Sequence, residues 1–173
     1  MDYRIDIYDG DEKNRFVLGN KGKKTLFVIG LNPSTADKNK PDRTISKVMG
    51  IAEGHKCDSF VMLNLYPQRA TDPNRLHEKF DETLFKQNLQ EIEKILKNVE
   101  KPLVFVAWGD KIGIRKYLYR CAKDIITCIG NNAIWLKTGK LTAKGNPRHP
   151  LYAQWAWGLS EFEVNNYVET FKN

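Results

Sequence analysis

The sequence has no apolar run approaching the ~18 residues that a membrane-crossing helix needs. Its first ten residues, MDYRIDIYDG, lack the charged-then-apolar layout of a secretory leader. The expected location is therefore the cytoplasm, with no membrane partner. Cysteine is scarce. Cys57, Cys121 and Cys128, the three present, cannot all pair within one chain, and their spacing fits no zinc or iron–sulfur framework. They read as reduced thiols that pack as small hydrophobes. There is no internal repeat, low-complexity tract or obvious linker. G-x-G-x-x-G, a Walker lysine pattern and a G-x-S-x-G elbow are missing, which sets aside dinucleotide, P-loop and nucleophilic-serine readings. No His/Cys/Asp set has metal spacing, so no cofactor is expected.

What is there suits a single domain over residues 1–173. The chain is 41% hydrophobic, enough at this length for a sizeable core. Twenty-eight Lys and Arg against 21 Asp and Glu give a net charge of +7. That balance favours a polyanionic partner such as DNA or a nucleotide, and nothing implies a protein partner.

Tyr3–Tyr8 alternates apolar and polar, and Arg15–Leu18 resumes after the turn-rich DGDEKN, which predicts an N-terminal β-hairpin. Thr25–Gly30, Ser59–Leu65 and Leu103–Trp108 are short apolar runs bounded by turn formers, and they read as buried strands. Ile125–Ile129 is expected as a fourth. Ile45–Glu53, Asp81–Asn98 and Lys111–Lys123 carry apolar stripes at helical spacing, and Ser160–Phe171 is expected as a closing helix. Trp135–Tyr152 reads as loop, with Trp155 and Trp157 packing the closing segment onto the sheet. Strands alternating with helices predict a three-layer α/β/α domain around a mainly parallel sheet of about four central strands.

The polar residues that stand out gather at strand ends and in one late loop. They are Asn32-Pro33-Ser34, Asn64 to Pro67, Trp108-Gly109-Asp110 and Asn146 to Pro150. In a parallel sheet the carboxyl ends lie on one edge, so the first three should converge where ligands bind. Bland roles compete with this reading. Ser34 or Thr35 could cap a helix, Asn64 could be a satisfied structural amide, and His149 could sit on an idle surface loop. His55 and His77 read as plain surface residues.

In order and spacing these blocks resemble the uracil-DNA glycosylase superfamily: Gly30-Leu31-Asn32-Pro33, then Asn64 in VMLNLYP, LVFVAWG, and Arg148-His149-Pro150-Leu151. The chain is also similar to the bacterial domain-of-unknown-function 1643 family. That likeness rests on the NPSTAD turn, Asp42 to Ile45, Asn64 to Pro73 and PRHPLY. The glycosylase resemblance implies cleavage of an N-glycosidic bond with the base extruded from its stack. Asn32 and His149 would be catalytic, the first holding water and the second donating to the leaving base. Asn64 would read the base, with Gly30, Ser34, Asp37, Arg69, Trp108 and Asp110 lining the substrate site. Leu151 or Tyr152 would wedge into a duplex, and Arg148 would meet a phosphate. The departures are Asn32 where the fastest glycosylases carry a carboxylate, and Leu151 where the loop usually has serine. The set Asp37, Asp42, Arg43 and Arg69 has no glycosylase counterpart. An enzyme on a free nucleotide or small metabolite, or a non-catalytic nucleic-acid binder, remain alternatives.

Overall fold

A computed structural model describes residues 1–171 of the chain. It is a mixed α/β domain built on one seven-stranded sheet. The strands are β1 (Ile7–Gly10), β2 (Arg15–Gly19), β3 (Thr25–Gly30), β4 (Ser59–Asn64), β5 (Leu103–Val106), β6 (Ile134–Thr138) and β7 (Leu159–Glu161). Their order across the sheet is β1-β2-β4-β3-β5-β6-β7. The inner pairs β3–β4, β3–β5 and β5–β6 are parallel. The β1–β2 hairpin extends one side antiparallel to β4, and β7 closes the other antiparallel to β6.

Four helices cover the sheet: α1 (Arg43–Gly54), α2 (Glu82–Leu96), α3 (Tyr117–Ile129) and α4 (Val164–Glu169). Alternation along the strands decides which face each helix meets. Leu26, Val28, Phe60, Met62 and Phe105 point to one side and bury Ile45, Val48 and Ala52 of α1. Phe27, Ile29, Val61, Leu63, Val104 and Val106 point to the other and bury α2 and α3, including Phe85, Ile92, Cys121 and Ile125. Both faces of β3 and β4 are thus covered, which is why these strands are apolar throughout rather than alternating.

Four expectations are corrected. Ile125–Ile129 is the last turn and a half of α3, not a strand. Ile125, Ile126 and Ile129 continue the stripe begun by Leu118, Cys121 and Ala122 at helical spacing, and five residues alone could not separate the two periods. The fourth parallel strand is Ile134–Thr138, all but its first residue in the segment Trp135–Tyr152 expected to be loop. The closing segment begins as strand β7 and only then turns into the short α4, so its helix starts at Val164. The helix expected at Lys111–Lys123 is likewise divided. A 3-10 turn over Asp110–Ile114 precedes α3. No helix among the described residues is long and apolar enough to cross a membrane. Cys57 and Cys121 are buried free thiols, and Cys128 is an exposed one.

Candidate active site at the carboxyl ends of β3 and β5

β3 leads through α1 to β4 on one side, whereas its neighbour β5 leads through α3 to β6 on the other. Adjacent strands whose connections depart in opposite directions leave a crevice beyond their carboxyl ends. A cleft of about 1320 Å³ opens there. Its walls come from Gly30 to Asn32, the loop Ser34 to Asp37, the start of α1, the turn Trp108 to Lys111, and the segment Thr142 to Tyr152.

Backbone pairing carries on past the strands and fixes this mouth. Leu65 N–H donates to the Gly30 carbonyl (2.8 Å), Tyr66 N–H to Leu31 (3.1 Å) and Ala70 N–H to Pro33 (2.9 Å). From the opposite face Asn88 of α2, fully buried, donates Nδ2 to the Asn64 carbonyl at 2.9 Å. Asn32 sits on the cleft wall. Its Nδ2 donates to the carbonyls of Pro33 (2.9 Å) and Ala70 (2.8 Å), which leaves Oδ1 as the acceptor on offer.

Asn64 lies beneath the cleft lining rather than in it. It is fully buried, and neither Oδ1 nor Nδ2 has a hydrogen-bond partner among the described residues. It pairs in register with Gly30, a cleft residue, and a Cβ on Gly30 would stand 3.0 Å from Asn64 Oδ1. The Met62 methyl group lies closer still, 2.5 Å from the same point, so the space a Gly30 side chain would take is filled by Met62, which lines the cleft above the amide.

His149 packs directly against the turn at Gly109 in the cleft wall. Its Nδ1 accepts the Leu151 N–H at 3.3 Å and caps the 3-10 turn Pro150–Tyr152. Burial draws the imidazole down to about 4, against a smaller opposing pull from Asp42. A neutral ring with Nδ1 accepting carries its proton on Nε2, so it offers an N–H donor. Gly109 has φ of +69°, and a Cβ there would lie 2.9 Å from His149 Cβ. Only glycine both adopts that backbone and lets the histidine approach.

Asp110 follows. Burial pushes its carboxyl up, but hydrogen bonds from Thr142 Oγ1 (2.6 Å) and Asn146 Nδ2 (2.8 Å) outweigh it and hold the group below its ordinary range. Asn146 Oδ1 accepts from the Tyr167 hydroxyl at 2.8 Å, which accepts from Trp108 Nε1 at 3.1 Å. A buried chain of hydrogen bonds thus ties the β5 end, α4 and the His149 loop into one frame.

The remaining expected residues are placed as follows. Ser34 and Asp37 line the cleft, but no helix follows Ser34. The cap of α1 is Asp42, whose Oδ1 accepts the Ile45 N–H at 2.9 Å. Asp37 Oδ1 is committed to the N–H groups of Asn39 and Lys40, which hold its carboxyl below the ordinary range. Arg69 does not line the cleft. It staples the loop from behind, donating to the carbonyls of Asp11, Ser34 and Ala36 and to the Tyr8 hydroxyl. Trp108 and Arg148 are in the wall. Arg148 Nε is held by the Lys140 carbonyl (2.8 Å), and its guanidinium lies over the Trp157 ring.

Leu151 and Tyr152 stand exposed at the rim. Trp155 is not core but 61% exposed, with Lys47 Nζ 4.2 Å from its ring centre. Among the described residues no three His, Cys, Asp or Glu side chains gather where they could hold a metal ion.

The family model described as Protein of unknown function (DUF1643) matches residues 15–151. The chain belongs to that family. The matched span runs from Arg15 to Leu151 and so takes in every cleft residue except Tyr152. No curated protein and no solved structure matches the chain. The sequence reading missed Arg15, which it took only as the start of a strand. It also missed Thr142 as a partner of Asp110 and Asn88 as a clamp on β4. An arginine opening an otherwise apolar strand run was the available signal for the first.

Proposed function

We propose that the protein hydrolyses the N-glycosidic bond of a nucleobase, in the manner of the uracil-DNA glycosylases that its strand-end blocks resemble. The observation that carries this reading is Asn64. A buried amide left unpaired costs about 1–3 kcal/mol, and with the Met62 side chain above it moved aside a base edge presenting one donor and one acceptor would meet both of its atoms. Asn32 Oδ1 would accept a hydrogen bond from the attacking water and orient its oxygen toward the sugar C1′. As the new C–O bond forms, the C1′–N bond breaks and the base leaves with the electron pair. The Nε2–H of His149 would stabilise that developing charge, an effect worth about 3–4 kcal/mol for a preorganised donor in a dry site. The water loses a proton to solvent and the base gains one, so the products are the free base and a 1′-hydroxyl. Asn32 positions the water without deprotonating it.

On this reading Leu151 and Tyr152 would occupy the gap that an extruded base leaves, and Arg148 would meet a neighbouring phosphate. The test is base release from oligonucleotides carrying uracil, hypoxanthine, xanthine or mismatches, read by alkali cleavage on a gel. Free deoxynucleotides, read by chromatography, form a second arm. Release by the wild type, with His149→Ala lowering it by about 10²–10³, is the expected result. No release from any substrate in either arm would sink the proposal.

A further inference from the structure

Arg15 is only 2% exposed, yet it reaches the cleft lining. Of its five N–H donors, the described residues engage only Nη1, which donates to the Ala36 carbonyl at 2.8 Å. Nε is buried with no partner. None of the ion pairs among the described residues includes it. The same Ala36 carbonyl also receives Arg69 at 3.2 Å, so two guanidinium groups share one neutral oxygen. Burial, together with that second positive charge, draws Arg15 down to about 10. Asp42 opposes the effect from a distance without pairing.

A buried cation is costly unless it is paired and hydrogen-bonded. Neither Arg69 nor Arg15 is ion-paired among the described residues, but Arg69 donates to four acceptors and Arg15 to one. The edge of Arg15 left over, Nε with Nη2, is the one that grips two oxygens of an oxyanion in parallel. Around it the cleft carries Lys40, Arg43, Lys111, Lys144 and Arg148 against the carboxylates of Asp37, Asp42 and Asp110.

We infer that Arg15 anchors an oxyanion site on the cleft floor, made for a phosphate group of the substrate. The inference rests on the N-glycosidic reading for the rest of that substrate and adds to it the part that is not the base. The phosphate can come from a free nucleotide or from the backbone of a strand. Both present the same oxygens to the fork.

Binding can be measured without any catalysis, which separates this inference from the function above. Wild type and Arg15→Lys are titrated with inorganic phosphate, deoxyuridine, its 5′-monophosphate and a short thymidine oligonucleotide, at constant ionic strength set with potassium chloride. The monophosphate is expected to bind at least about tenfold tighter than the nucleoside. Arg15→Lys, which keeps the charge and loses the fork, is expected to erase that advantage. If the oligonucleotide loses more affinity than the monophosphate, the phosphate is a backbone one. The reverse assigns a terminal phosphate. Because a changed Arg15 could disturb the fold, the wild type alone supplies a second readout. Phosphate should shift one arginine Nε–H resonance downfield in a nitrogen-15 spectrum. Equal binding of nucleoside and monophosphate, or no arginine shift at saturating phosphate, would overturn the site whether or not a base is released.

Discussion

Burial draws the His149 imidazole down to about 4, so between that value and the ordinary 6.5 the unfolded chain takes a proton that the folded chain refuses. Above pH 6.5 both states hold a neutral ring, and the group costs nothing. As pH falls through the window, stability drops by an amount on the order of 3 kcal/mol in total and then levels off. His149→Gln removes the titration. Its urea midpoint should therefore fall less steeply than that of the wild type between pH 6.5 and 4, and run parallel to it above pH 7. Identical slopes would mean that the ring titrates freely. The side chain was legible because it interrupts a proline-flanked polar loop. Asn32 and Asn64 were legible for a related reason, being amides at the ends of apolar runs. Arg15 was not. Its meaning depends on Ala36, Arg69 and the missing counter-charge, none of which is local in sequence.

The inner strands could be read because each is covered on two faces, so apolarity runs unbroken from Leu26 to Ile29 and from Phe60 to Leu63. α2 could be read because Asp81 caps it and one stripe of it is buried. Where the end of a helix was read apart from the rest of it, as at Ile125–Ile129, or an outer strand mixes exposed and polar residues with buried ones, as at Ile134–Thr138, the reading failed. The joint between β5 and the His149 loop tests whether the elements place the site. Gly109→Ala puts a Cβ at a backbone angle of +69° and 2.9 Å from His149 Cβ. The variant should lose about 1–3 kcal/mol of stability from strain. It should also push the histidine away from Gly109, so that its proton-detected pKa climbs back toward 6.5 as the ring gains water. A variant with unchanged stability and an unchanged histidine titration would mean that the turn does not set the ring.

The cleft lining carries six Lys and Arg against three Asp, in a chain whose net charge is +7. Lys111, Lys144 and Arg148 belong to the wall, Leu151 and Tyr152 stand exposed in it, and Trp155 is exposed against Lys47 of α1 a few residues further along the chain. Bases of a single strand stack on exposed rings while its phosphates meet the cations. If three phosphates are neutralised, log K for a single-stranded oligonucleotide should fall against log salt with a slope of about −2, since each contact releases about 0.7 counterion. Arg148→Ala should flatten that slope by about 0.7 and weaken all sequences alike, because a phosphate contact reads no base. Trp155→Ala should weaken binding by about 1–3 kcal/mol while leaving the slope unchanged, because stacking releases no counterion. Filter binding at four or five salt concentrations gives all three values. A slope near zero would confine the cleft to small nucleotides, and would leave the basic edge as a solvated face rather than a track for a strand.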